Sequence, residues 1–200
     1  MKNVVLIFIL ALLFSIYTFA KDLPLAPRLQ PLYETLKTLP VNYKPDGAVC
    51  EQIARLQALD SFPGERFAVN VGVEYDIGAG TLGELDLVVT EKATGQVVSV
   101  AEVKCWHSLD EALDKAKEQQ DRFLWNLSQY SERIRFVAHE AGIGFQARDF
   151  KEIKSFVFIS QRGGLRRGFH QEIPYTLSEV DELRAKLVRC QNQGQCPLAP

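Results

Sequence analysis

Apolar residues follow three different patterns along this chain of 200 residues. They run unbroken from Val4 to Ala20 in VVLIFILALLFSIYTFA, crowd into short stretches between Phe67 and Cys105, and recur every third or fourth position from Leu109 to Tyr130. The three patterns predict a hydrophobic leader, a set of strands and a long helix. The strands are FAVNVGVEY (Phe67 to Tyr75), LGELDLVV (Leu82 to Val89) and VVSVAEVKC (Val97 to Cys105), parted by the glycine-rich turn IGAGT and the polar turn EKATGQ. SFVFIS, Ser155 to Ser160, predicts a fourth strand.

The long helix carries Leu109, Leu113, Ala116, Phe123, Leu127 and Tyr130 on one stripe, with Asp110 and Glu111 in the first turn, where the helix dipole favours anions. A first helix is expected from Ala48 to Leu59, with Val49, Ile53 and Leu56 facing a core and Asp46 as its N-cap. A last helix is expected over Leu177 to Val188. Residues 21–45 hold Pro24, Pro27, Pro31, Pro40 and Pro45, which predicts an arm lying over the domain with room for one short helix near Leu32 to Leu39. The chain thus divides into a leader (1–20), the arm (21–45), one α/β domain (46–190) and a short tail (191–200), with a central mixed β-sheet flanked by helices as the fold class.

The leader has one positive charge before the apolar run, and Thr18 and Ala20 supply small residues at the positions a signal peptidase reads. It is read as an export signal cleaved after Ala20, which leaves no stable membrane span and a periplasmic or secreted protein. The alternative is an uncleaved anchor, although the run is short for a span of ~20 residues. Export favours paired cysteines among Cys50, Cys105, Cys190 and Cys196. The short spacing makes Cys190 with Cys196 the first choice and leaves Cys50 with Cys105; a zinc site is the weaker alternative, since no pair has CxxC spacing. Removing residues 1–20 takes away Lys2 and no acid, so the formal charge goes from −2 to −3. Bulk charge gives no support to nucleic-acid binding, which would need a local basic patch.

Glu84, Asp86, Glu102 and Lys104 interrupt the apolar strands. A turn centred near Thr94 sets Asp86 opposite Glu102 and Glu84 opposite Lys104; one centred near Ala79 sets Glu74 opposite Glu84 and Gly72 opposite Asp86. Facing residues share a side of the sheet at ~4.5–5.5 Å between Cβ atoms, so one face is expected to gather Glu74, Glu84, Asp86, Glu102 and Lys104. Carboxylates facing each other among valines are costly without a partner. A divalent cation with oxygen ligands (magnesium, manganese or calcium) would resolve their repulsion, and would suit phosphodiester hydrolysis with the lysine steadying developing charge. A salt-bridge network at an exposed sheet end is the plain alternative.

GELDLVV followed by VAEVK resembles the motif core of the PD-(D/E)XK nuclease superfamily, most like its Holliday-junction-resolvase and restriction-endonuclease-like branch. The likeness spans Gly83 to Lys104 in its motifs and Phe67 to Tyr130 in its order of elements. It implies a restriction-endonuclease-like core in which Asp86 and Glu102 bind magnesium or manganese, the Val103 carbonyl adds a ligand, and Lys104 positions the attacking water. It implies a further upstream acid, for which Glu74 suits the register, whereas Glu51 reads as a solvated surface residue. It also points to a glutamine on the following helix, Gln120 rather than Gln119.

QRGGLRR (Gln161 to Arg167) could hold a nucleic-acid backbone through Arg162, Arg166 and Arg167. His107, His139 and His170 share no metal spacing, and Trp106 and Trp125 read as core or core-edge residues. The expectation is an exported, metal-dependent nuclease acting on nucleic acid, DNA first. Two alternatives stand beside it: a non-catalytic envelope binding module of the same fold, and a glycosidase using Glu102 and Glu84. Against the last, Lys104 beside both carboxylates should hold them ionised.

Overall fold

The computed structural model describes residues 25–78, 80–138 and 142–198. The leader with its cleavage site, residues 21–24, Ala79, His139 and the last two residues fall outside it. Among the described residues no helix is long and apolar enough to cross a membrane.

The three predicted strands form an antiparallel meander: β1 (Phe67–Asp76), β2 (Thr81–Glu91) and β3 (Val97–Lys104). β4 (Arg135–Ala138) and β5 (Ile143–Gln146) extend the sheet beyond β1, while β6 (Ser155–Ser160) and β7 (Gln171–Glu172) run parallel to β3 on its other side. The result is a mixed seven-stranded sheet in the order β5-β4-β1-β2-β3-β6-β7. β4, β5 and β7 were not among the expected strands. Each is at most four residues long, too short for a period to show.

Helices cover both faces. On one lie α1 (Gln30–Leu36), α2 (Ala48–Ser61) and α4 (Leu177–Asn192), whose Val49, Ile53, Leu183 and Leu187 share a core with Val71, Leu87, Ala101 and Val103. On the other lies α3 (Leu109–Gln129), whose Phe123 packs with Tyr75, Leu85, Val88, Val100 and Phe136. The Ser108 hydroxyl caps α3 by accepting the Glu111 amide, and a reciprocal Thr176–Glu179 pair caps α4. Asp46 does not cap α2 as expected; Gly47 holds that position and the Asp46 carboxylate instead lies 2.8 Å from Arg184 of α4.

The arm is part of the core. Leu25, Leu29, Leu36, Val41 and Tyr43 are buried against α2 and α4. Gln191, buried near the end of α4, accepts the Tyr43 amide and donates to the carbonyls of Val41 and Pro197, so one side chain ties arm, helix and tail together. The cysteines pair as Cys50–Cys105 and Cys190–Cys196, which engages all four of the chain's cysteines and leaves none for zinc. Two disulfides fit an oxidising compartment.

Candidate functional site

Register places the motif residues. β1 and β2 pair as Glu74 with Glu84 and as Val71 with Leu87, and β2 and β3 pair as Leu87 with Ala101 and Val88 with Val100. These are the diagonals expected from turns centred at 79 and 94. The β2–β3 ladder stops at Leu87, one residue short of Asp86. There the Val103 amide donates to Asp86 Oδ2 at 2.7 Å, so a carboxylate takes the place of a main-chain carbonyl.

The three motif side chains meet at this break. Lys104 Nζ lies 2.5 Å from Asp86 Oδ2 and 3.2 Å from Glu102 Oε2. Asp86 is buried and Glu102 wholly so. Glu102 Oε1 is buried with no hydrogen-bond partner. An orphaned carboxylate oxygen in a protein interior is costly and marks a place where a partner belongs. Burial, and then repulsion from Asp86, push the Glu102 carboxyl up to about 9, with Lys104 opposing both. This corrects the expectation that the lysine would keep both carboxylates ionised: desolvation outweighs it. Burial works against the Lys104 ammonium, yet Asp86 and Glu102 hold its pKa above the ordinary lysine value.

Glu74 and Glu84 do not join the cluster. Val69 and Val71 face the α2 side, whereas Val73 and Tyr75 face the α3 side, so the alternation slips between them. The slip sits at Gly72, which holds φ +63°, a left-handed conformation that glycine adopts without strain. β2 slips in step, with Leu85 on the α3 side and Leu87 on the α2 side. Glu74 and Glu84 alternate with Val73, Tyr75 and Leu85 and so face away from α3. Glu102 alternates with Ala101 and Val103 of the opposite core and so faces toward α3. Glu74 accepts from Thr81 at 3.3 Å, and Glu84 is exposed. Glu84 therefore cannot pair with Glu102 as acid and base, which removes the glycosidase arrangement.

Gly83 opens the GELD motif for a steric reason. Tyr75 lies across it, and a Cβ at position 83 would stand 2.3 Å from the Tyr75 hydroxyl. Burial raises the Tyr75 phenol, Arg122 beside it pulls the other way, and the Glu102 charge adds to the rise, which places the ring near the carboxylates.

A cleft of about 400 Å³ opens where β3 ends, lined by Glu51, Val103, Lys104, Trp106, Glu111 and Lys115 among others. Open α/β sheets bind ligands outside the carboxyl ends of their strands, as here. Glu51 was expected on an outer surface; it lines this cleft half-buried, its carboxylate folded against Gly47 in the first turn of α2. Trp106 and Trp125 are not core residues either, being 52% and 56% exposed. A solvent-facing indole cannot be told from a buried one by residue type, but the adjacency of Trp106 to the E-x-K strand was a usable signal. Of the two glutamines, Gln119 has its amide oxygen buried without a partner, while Gln120 is half-buried.

The basic loop is less available than its sequence suggests. Arg162 donates to the Pro174 carbonyl, and Arg167 lies 3.3 Å from Asp110 at the start of α3. Glu172 accepts the Gly163 and Leu165 amides, fixing the loop's shape and leaving Arg166 exposed. His170 Nδ1 accepts the Phe158 amide while its ring stacks on Phe158, a structural role.

Among the described residues no three His, Cys, Asp or Glu side chains converge as a metal cage. A cation here would rest on Asp86, Glu102, the Val103 carbonyl and water. That sparse oxygen set suits magnesium or manganese, which commonly take one or two carboxylates and complete their shell with water and substrate phosphate. The chain matches no protein-family model, no curated protein and no solved structure.

Proposed function

We propose that this chain is an exported, metal-dependent nuclease with a restriction-endonuclease-like core of the PD-(D/E)XK type, hydrolysing phosphodiester bonds of nucleic acid, DNA first. The observation that carries the reading is the orphaned Glu102 Oε1, wholly buried beside Asp86 and Lys104. A divalent cation is the partner that chemistry supplies most directly for such an atom.

Asp86 and Glu102 would hold the ion, with the Val103 carbonyl as a third donor. Magnesium or manganese, when bound, polarises a phosphoryl oxygen and acidifies a water. Asp86 is fixed for this role by the Val103 amide. Lys104 reaches from the carboxylates to the cleft wall, so its ammonium can face charge that develops on the phosphoryl group. Burial of the carboxylates keeps bulk water away and strengthens every charge interaction at the site.

The non-catalytic module has one observation in its favour: Lys104 already bridges both carboxylates. That bridge uses Asp86 Oδ2 and Glu102 Oε2 and leaves Glu102 Oε1 unserved, so the catalytic reading accounts for more. Calorimetric titration with manganese decides between them. The nuclease reading expects one site, lost in Asp86→Asn and Glu102→Gln; absence of binding to the folded wild type favours the module.

A further inference from the structure

We propose that Trp106 is the stacking platform of a track for single-stranded nucleic acid, so that the scissile phosphate reaches Lys104 on an unpaired strand. The inference rests on the nuclease reading above and names its substrate class. Trp106 follows Lys104 by two residues and separates two recesses. On one side is the 400 Å³ cleft with Lys104 and Lys115; on the other a cavity of about 270 Å³ holds His107, Asp181 and Arg184, and both are lined by the indole. An exposed aromatic with a recess on each side is the arrangement on which successive bases stack.

The platform is rigid. Gln161, buried at the end of β6, donates to the Trp106 carbonyl at 2.6 Å and accepts the Trp106 amide at 3.1 Å. The Cys50–Cys105 disulfide fixes the preceding residue to α2. A side chain held this way loses little freedom when a ligand covers it.

Charge and size choose the occupant. Glu51 and Glu111 line the first recess beside its two lysines, so it is no general polyanion site and stacking must supply the affinity. In the second recess Arg184 contacts Asp46 and the Lys44 carbonyl and keeps its Nε without a partner, a donor suited to one phosphate. Glu102 is wholly buried and the Lys104 side chain only 19% exposed. A duplex, whose major groove alone is ~12 Å wide, cannot bring a phosphate down a 400 Å³ cleft. A single strand, or a nucleotide turned out of a duplex, can.

The test uses labelled ten-nucleotide single strands of dT and of U, and a duplex of equal length. Binding is read by anisotropy in EDTA and cleavage in manganese. Expected are single-strand binding and cleavage favoured over duplex by about tenfold or more, a weak dependence on salt, loss of the preference in Trp106→Ala, and its recovery in Trp106→Phe. In a Trp125→Phe background, quenching of the remaining indole by dT reports the stack directly. Equal cleavage of duplex and single strand, or an unchanged preference in a folded Trp106→Ala, overturns the Trp106 track and leaves the nuclease standing. Trp106-dependent binding without any cleavage supports the track and overturns the nuclease. Neither binding nor cleavage overturns both.

Discussion

The Val103 amide donates to the Asp86 carboxylate at 2.7 Å, at the point where the ladder between their strands ends. One side chain thus satisfies a strand amide and sets a charge beside Lys104. The same break lets Glu102, on the next position of the register, lie under α3 with one oxygen unpartnered. A strand pair that continued regularly would have buried valines there; this one exposes two carboxylates to each other.

Glu102 makes the metal-free protein pH-sensitive. Its carboxyl stands at about 9 in the fold against an ordinary 4.5. Between those values the folded state binds a proton that the unfolded chain releases, so stability falls as pH rises from about 4.5 toward about 9 and levels off beyond. Glu102→Gln keeps the shape without the titration. Thermal melts in EDTA are expected to show the variant more stable than wild type at pH 8, with the gap shrinking toward pH 5.

Gly83 is held by contact, not by backbone conformation. Gly83→Ala would drive a methyl into the Tyr75 hydroxyl, and overpacking of this kind costs ~1–3 kcal/mol. Urea denaturation should show that loss. A Tyr75→Phe change in the same chain should recover part of it, because the clash involves the hydroxyl first.

The two disulfides should differ in worth. Closing a loop of 55 residues, Cys50–Cys105 restricts the unfolded chain more than Cys190–Cys196 with its separation of 6. The chain-entropy treatment gives about 4 kcal/mol for the long loop and about 2 kcal/mol for the short one. Paired Cys→Ala variants, compared by chemical denaturation, are expected to keep that order. Loss of Cys50–Cys105 should also lower activity, since Cys105 lies between Lys104 and Trp106.

Much of this was legible in the sequence, and the failures have physical causes. Turn positions alone fixed which residues oppose one another, because Glu74 does pair with Glu84 and the Val88–Val100 diagonal leads to Asp86 and Glu102. They could not fix which face those residues share. A period of two assumes unbroken alternation, and Gly72 at φ +63° breaks it. A lone glycine inside a strand was the visible warning. The E-x-K triad survived the slip because Glu102 and Lys104 lie on β3, where the alternation from Val100 to Val103 is regular. Glu51 was misplaced because its helix face was judged against the core alone. The cleft it lines is formed by three elements that meet only in the folded chain.

Cleavage itself is the most direct test. The purified protein is incubated with circular and linear DNA and with RNA in magnesium, manganese or EDTA, beside Glu102→Gln and Lys104→Ala. The account predicts strand scission that requires the metal and falls by about a hundredfold or more in each variant. Scission that persists in EDTA, or that survives in a folded Glu102→Gln protein, would contradict it.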